Sequence, residues 1–171
     1  MNTPNKITTL RLIMIPVFMV AYMYIKINIL SAAIFALAFA TDMLDGYLAR
    51  KYNQVSDFGK IMDPLADKVL VSAAMILLTQ SGVISAWVTV LVLAREFIVS
   101  GVRMAAAAEG NVVAASIWGK AKTMWQFVAL TIALLINTQN IFIDILMWVN
   151  LALTVLSGVD YLIKNKKYLS F

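Results

Sequence analysis

The chain has 171 residues, of which 62% are hydrophobic and 13% charged, and its formal net charge is +5. Because soluble domains are about half apolar and a quarter charged, this composition excludes a water-soluble enzyme, a disordered tail, a nucleic-acid-binding arm and a collagen-like fibre. It predicts an integral membrane protein with one domain over residues 1–171, whose positive charge serves anionic lipid or a phosphorylated substrate rather than nucleic acid.

Apolar runs follow one another along the chain with short polar linkers between them. They cover residues 7–25, 27–40, 61–80, 84–108, 117–136 and 141–163, and the second run continues into a polar stretch that ends at Lys51. The chain is long enough for about five or six spans of roughly 20 residues each. We therefore predict an all-α protein with six transmembrane helices.

Basic residues indicate how these spans are oriented. Six spans put both termini on one side, and the segments on that side hold 13 of the 14 lysines and arginines, whereas the other side holds only Lys26. Since cytoplasmic loops carry the excess of Lys and Arg, we predict a multi-pass protein of the cell membrane with both termini in the cytoplasm. The polar stretch 42–67 falls on the same side, so an active site built there faces the cytoplasm.

Acidic residues concentrate between positions 42 and 67. Asp42 and Asp45 lie three apart at the end of the second run, and Asp63 and Asp67 lie four apart at the start of the third. Both spacings place the side chains on one helix face, and a short hairpin would let the two pairs converge. Four carboxylates at membrane depth need compensating charge. With no His or Cys in the chain, the ligands are oxygens, which predicts two hard divalent ions.

Mg²⁺ is the expected ion, with Mn²⁺ or Ca²⁺ as alternatives. Two such ions about 3.5–4 Å apart stabilise the attacking and leaving oxygens of phosphoryl transfer. Gly46 and Gly59 would let a ligand approach the backbone closely, although ordinary helix packing also explains them. Arg50 offers a planar, bidentate phosphate binder. The structural alternative is a set of solvated helix-end carboxylates paired with the neighbouring lysines, Lys51, Lys60 and Lys68.

The fourth run carries charges in an otherwise apolar segment. Arg95 and Arg103 are eight residues apart, about two helical turns, so they share a face. With Lys120 they predict a basic pocket for a dianionic phosphate, which glycerol 3-phosphate carries and serine, choline and free inositol lack. Glu96 is a candidate structural partner for a neighbouring cation. Lys122 is interpreted as extending to the lipid headgroups.

The pattern Asp-x-x-Asp-Gly-x-x-Ala-Arg, then eight residues, then Gly-x-x-x-Asp-x-x-x-Asp over positions 42–67 resembles the defining motif of the CDP-alcohol phosphotransferase family. Segments 4–11, 95–103 and 119–123 are similar to its bacterial phosphatidylglycerophosphate synthase branch. The resemblance implies the family's membrane fold, a homodimer, and transfer of the phosphatidyl group from CDP-diacylglycerol to glycerol 3-phosphate with release of CMP.

The resemblance also implies roles for individual residues. Asp42, Asp45, Asp63 and Asp67 match the ligands of two metal ions, and Asp67 matches the general base. The positions that match contacts to the CDP-lipid are Asn5, Thr8, Gly46, Arg50, Ser56 and Gly59.

Other interpretations stay open at this point. Inositol phosphate or phosphatidylglycerol could be the acceptor instead of glycerol 3-phosphate. Buried carboxylates also mark ion pathways, so a divalent-cation or proton-coupled transporter is the main alternative from another class of protein. A scaffold protein with an inactive site is the third.

Overall fold

A computed structural model describes the backbone of residues 3–52, 57–108 and 116–164, and the side chains of residues 9–41, 65–106 and 116–164. Every regular element in these ranges is helical, which confirms the all-α class. The six α-helices are α1 (Thr3–Val20), α2 (Asn28–Tyr52), α3 (Asp57–Gln80), α4 (Ala86–Ala108), α5 (Ile117–Ile136) and α6 (Ile141–Lys164), and a π-helical turn at Ala21–Ile25 continues α1.

The helices correspond one to one with the six apolar runs of the sequence. The polar stretch after residue 40 continues α2 as far as Tyr52, and α3 begins at Asp57, four residues before its apolar run. Both acidic pairs therefore lie on helices, as their spacing predicts. Ser56, one of the positions matched to a CDP-lipid contact, lies outside the described residues.

Packing arranges the helices in a closed ring. Around it, α1 packs on α2, α2 on α5, α5 on α6, α6 on α4, α4 on α3, and α3 on α1. α3 also contacts α2 and α5 across the ring, so it touches four other helices. Its inner face is accordingly apolar and fully buried at Leu70, Ala74 and Leu78.

Stacked aromatic rings join α2 to α5. The Phe39 and Phe127 rings are nearly parallel, with centroids 4.0 Å apart, and the Phe35 ring lies 5.9 Å from Phe127. Such pairs stabilise a packed core by about 0.5–1.5 kcal/mol beyond the area they bury. They fix the spacing of these two helices.

By length and composition, one helix of the described chain, Ile141–Lys164, is long and apolar enough to cross a membrane. Thr9–Ile25 and Asn28–Thr41 are apolar helical segments of shorter length. The charges within α3 and α4 and at the start of α5 reduce their apolar character. The six-span topology therefore stays a prediction.

A hydrogen-bonded cluster links four chain segments at one end of the ring. The Tyr22 hydroxyl donates to Asn137 Oδ1 (2.7 Å) and lies 2.9 Å from Ser81 Oγ, and Asn137 Nδ2 donates to Asn28 Oδ1 (3.1 Å). Asn137 takes a left-handed conformation (φ 46°) as it ends α5. The ends of α1, α3 and α5 and the start of α2 therefore meet here, so the acidic ends of α2 and α3 lie at the opposite end.

We expect Tyr22→Phe to lower the free energy of unfolding in detergent by about 1–3 kcal/mol, because it leaves the polar groups of Ser81 and Asn137 without their shared partner. Tyr24→Phe is the matched control, since the Tyr24 side chain is 76% exposed. Denaturant titration of both variants checks this. Equal free energies for the two variants would contradict the structural role of the cluster.

Candidate active site

A small cleft lies between α2, α3, α4 and α5. Charged and polar groups share its wall with apolar ones: Phe39, Asp67, Lys68, Val71, Ser72, Leu93, Glu96, Lys122, Thr123, Gln126 and Phe127. Two carboxylates and two ammonium groups from three different helices thus meet in one small space. The ammonium groups can neutralise an anionic ligand, and a carboxylate can accept a proton from it.

α3 supplies Asp67, the residue predicted to act as general base. Asp63 lies one turn before it on the same helix, and α3 packs on α2, which carries Asp42 and Asp45. The side chains of these other three aspartates lie outside the described residues, and no cluster of three metal-binding side chains occurs among those that are described. Convergence of four carboxylates stays a prediction, and the contact between the two helices is compatible with it.

The predicted contacts to CDP-lipid lie at the same acidic end. Asn5 and Thr8 are in the first turns of α1, Gly46 and Arg50 near the end of α2, and Gly59 at the start of α3. Their backbones are helical, and their surroundings lie outside the described part of the chain. These assignments also stay predictions.

Glu96 on α4 is the centre of a partly buried ion cluster. Its Oε1 accepts a hydrogen bond from Arg95 Nη1 (3.1 Å) and another from Lys122 Nζ on α5. The other Arg95 terminal nitrogen donates to Ser157 Oγ on α6 (2.8 Å). Three helices are therefore joined through one carboxylate and one guanidinium. The prediction that Glu96 pairs with a neighbouring cation is confirmed.

The interpretation of Lys122 as a side chain extending to the lipid headgroups is wrong. Lys122 is only 2% exposed and points into the cleft. A buried ammonium is stable only with a charged partner, and Glu96 supplies that partner from the next helix. Lys120 is exposed and is not among the residues that line the cleft.

Arg95 and Arg103 both face α6. The Arg103 guanidinium carbon lies 5.4 Å from the centre of the Tyr161 ring, within cation–π distance, and Arg95 reaches Ser157 on the same helix. This confirms that the two arginines share a face of α4.

The sequence interpretation missed three groups at this site. Lys68 appeared there only as a counter-charge for the aspartates, yet it lines the cleft within electrostatic reach of Asp67 and Glu96. Gln126 follows Lys122 by one turn on the buried face of α5, a polar i, i+4 pair that was readable in the sequence. Ser157 gave no such signal, because buried serines are common in helices.

Residues 1–156 match the family model described as CDP-alcohol phosphatidyltransferase. The chain belongs to this family. Similar CDP-alcohol phosphatidyltransferases include the CDP-diacylglycerol–glycerol-3-phosphate 3-phosphatidyltransferases of Bacillus subtilis (43% identity, 96% of this chain and 95% of that protein) and Rickettsia felis (40%, 98% and 97%). A probable phosphatidylglycerophosphate synthase of Mycobacterium tuberculosis is 41% identical over 94% of this chain and 79% of that protein. The resemblance read from the motif is confirmed.

Breaking the ion cluster of this phosphatidyltransferase should lower its stability. We expect Lys122→Met to lower the free energy of unfolding by about 3 kcal/mol, because removing one partner of a buried ion pair leaves the other undercompensated. Lys120→Met is the matched control, two residues away and exposed; it should change the value by no more than about 0.5 kcal/mol. Denaturant titration in mixed micelles measures both. A similar small effect for both variants would show that the pair does not form.

Proposed function

We propose that this protein transfers the phosphatidyl group of CDP-diacylglycerol to glycerol 3-phosphate, giving phosphatidylglycerophosphate and CMP. The observation that carries the proposal is the cleft in which Asp67 stands beside the cationic groups of Lys68 and Lys122. The relatives named for this reaction cover nearly the whole chain at about 40% identity, and this fixes the reaction within the family.

The chemistry is a single displacement. The acceptor hydroxyl oxygen forms a bond to the β-phosphorus of CDP-diacylglycerol, the bond from that phosphorus to the bridging oxygen breaks, and CMP leaves with the electron pair. Asp67 accepts the hydroxyl proton, since the chain has no histidine and a carboxylate is the base at the cleft wall. Arg50 would balance charge on the departing CMP. Phosphoryl transfer of this kind depends mainly on positioning and electrostatic stabilisation.

Two Mg²⁺ ions, with Mn²⁺ as the alternative, would be held by Asp42, Asp45, Asp63 and Asp67. The donor chemistry fits, because these groups offer only carboxylate oxygens, which hard divalent ions prefer, and the helices that carry them pack on each other. When bound, such ions neutralise charge on the attacking and leaving oxygens. CDP-lipid would contact Asn5, Thr8, Gly46, Arg50, Ser56 and Gly59.

The acceptor phosphate would bind at Arg95, Arg103 and Lys120, as the sequence predicts, with Lys122 as an addition; of these four cations, only Lys122 is among the residues that line the cleft. Glu96 carries one negative charge and receives two cations, Arg95 and Lys122, so the cluster keeps a positive charge that a phosphate dianion would complete. Arg95 Nε is also buried with no hydrogen-bond partner in the described chain. A phosphorylated acceptor uses these groups better than serine or free inositol.

The membrane arrangement is part of the same proposal. All six helices would span the bilayer, with both termini and the active site on the cytoplasmic side and the acyl chains of the substrate among membrane lipids. The skewed placement of the basic residues supports this orientation. A homodimer is the expected assembly by resemblance to the family.

An acceptor panel tests the reaction. We expect purified protein in detergent to release CMP from CDP-diacylglycerol only when glycerol 3-phosphate and Mg²⁺ are both present, and EDTA to abolish release. Inositol phosphate, serine and phosphatidylglycerol are the comparison acceptors. Faster CMP release with one of these acceptors would show that it, and not glycerol 3-phosphate, is the preferred acceptor. Divalent-ion flux in proteoliposomes without CMP release would favour a transporter.

The role of Asp67 has its own test. We expect Asp67→Asn to lower kcat by at least about 100-fold, because general base catalysis contributes about 10²–10⁴. Asp144→Asn is the matched control; Asp144 lies in the first turn of α6, away from the cleft, and its loss should leave kcat within twofold. Turnover by the Asp67 variant at a near-normal rate would remove this residue from the chemistry.

A further inference from the structure

Both arginines of α4 are held by residues of α6. Arg95 Nη2 donates to Ser157 Oγ at 2.8 Å, and the Arg103 guanidinium carbon lies 5.4 Å from the centre of the Tyr161 ring. Ser157 and Tyr161 are four residues apart, one helical turn, so they lie on one face of α6. That face is buried: Ser157 has no exposed surface and Tyr161 is 3% exposed.

The contact to Arg95 has a fixed direction. The Ser157 hydroxyl donates its proton to the backbone oxygen of Thr154 (3.1 Å), which leaves the lone pairs of Oγ to accept from the guanidinium. Glu96 accepts from the other terminal nitrogen of Arg95 at 3.1 Å. Because both terminal nitrogens are held, rotation of the guanidinium plane is prevented.

Gly158 makes room for the same arginine. A Cβ at this position would lie 3.0 Å from Arg95 Cγ and 3.4 Å from Nε, so any side chain would push the arginine stem away from α6. A helical glycine costs about 1 kcal/mol relative to alanine, and the close approach of Arg95 explains its presence.

We propose that Ser157, Gly158 and Tyr161, the arginine platform of α6, orient Arg95 and Arg103 to bind the acceptor phosphate and thereby set the affinity for glycerol 3-phosphate. The inference rests on the proposed function, because it requires the two arginines to be acceptor ligands. All three platform residues follow residue 156, where the match to the family model ends. They are positioning residues, since they act through the arginines and not on the substrate.

Steady-state kinetics with each substrate varied in turn tests the platform. Ser157→Ala should raise the KM for glycerol 3-phosphate about tenfold, since a hydrogen bond to a charged group typically shifts an equilibrium by that factor. Tyr161→Leu should raise it about fivefold, because the cation–π contact that it removes is to an exposed guanidinium. The KM for CDP-diacylglycerol and kcat should stay within twofold. Tyr161→Phe, which keeps the ring under Arg103, should recover most of the acceptor affinity lost in Tyr161→Leu.

Ser31→Ala is the matched control. Ser31 is a buried serine of α2 whose hydroxyl, within the described part of the chain, bonds only to the backbone oxygen of Ile27 (3.2 Å), so its loss perturbs packing without touching Arg95 or Arg103. An unchanged KM for glycerol 3-phosphate in Ser157→Ala and Tyr161→Leu would overturn the platform. So would an equal rise in the KM values of both substrates, which is the result expected of a general structural defect.

Arg95→Ala separates failure of the platform from failure of the proposed function. If Arg95→Ala leaves the KM for glycerol 3-phosphate unchanged, the acceptor assignment is wrong and the platform falls with it. If it raises this KM while Ser157→Ala does not, only the platform is wrong. In the double variant Arg95→Ala/Ser157→Ala, the proposal predicts the same KM for glycerol 3-phosphate as in Arg95→Ala alone, because the partner of Ser157 is already absent. A further tenfold rise in this KM would contradict the proposal.

Discussion

The ion pair between the partly buried carboxylate of Glu96 and the buried ammonium of Lys122 is the interaction on which the architecture of this cleft depends. The carboxylate holds Arg95 on its own helix and Lys122 on α5, and through Arg95 it reaches Ser157 on α6. Buried ions are tolerated only when paired, so the three helices must keep their spacing for any of these charges to stay inside. The same requirement keeps the ammonium of Lys122 in the cleft that Asp67 also lines.

The positive and negative charges of this ion cluster are unequal in number. Two cations share a single carboxylate, which leaves the cluster short of negative charge beside the proposed base. A phosphate dianion would supply that charge, so acceptor binding and structural completion of the cleft become the same event. In a low-dielectric environment the attraction is stronger than it would be in water. Under the proposed function, this attraction would let a small enzyme select a phosphorylated acceptor without a large recognition domain.

Much of the fold could be predicted from the sequence. Continuous apolar runs with short linkers predicted the positions of the six helices. The spacing of the acidic residues predicted that the polar ends of α2 and α3 are also helical, and the structure confirms this. The reaction followed from the motif at positions 42–67, because a long pattern of carboxylates, glycines and an arginine is specific for the family. The eight-residue spacing of Arg95 and Arg103 was enough to place both on one face.

The inner details of the site could not be predicted, for physical reasons. The sequence predicts Lys120 in the acceptor pocket and Lys122 at the lipid headgroups. Two positions turn a helix by about 200°, so one of these lysines is exposed and the other is buried, and it is Lys122 that lies inside. Which of them turns inward depends on Glu96, a partner from another helix. Ser157 and Tyr161 are ordinary residues for a buried helix face, and only the position of α6 beside α4 gives them arginine neighbours.

The central claim is that the acceptor phosphate binds at the ion cluster of Glu96. An experimental structure of the protein in a lipid nanodisc with glycerol 3-phosphate and a non-hydrolysable CDP-diacylglycerol analogue tests this most directly. We expect the acceptor phosphate within hydrogen-bonding distance of Arg95 and Lys122, with the attacking hydroxyl directed at Asp67. A phosphate bound away from this cleft, with Glu96 still pairing both cations, would contradict it.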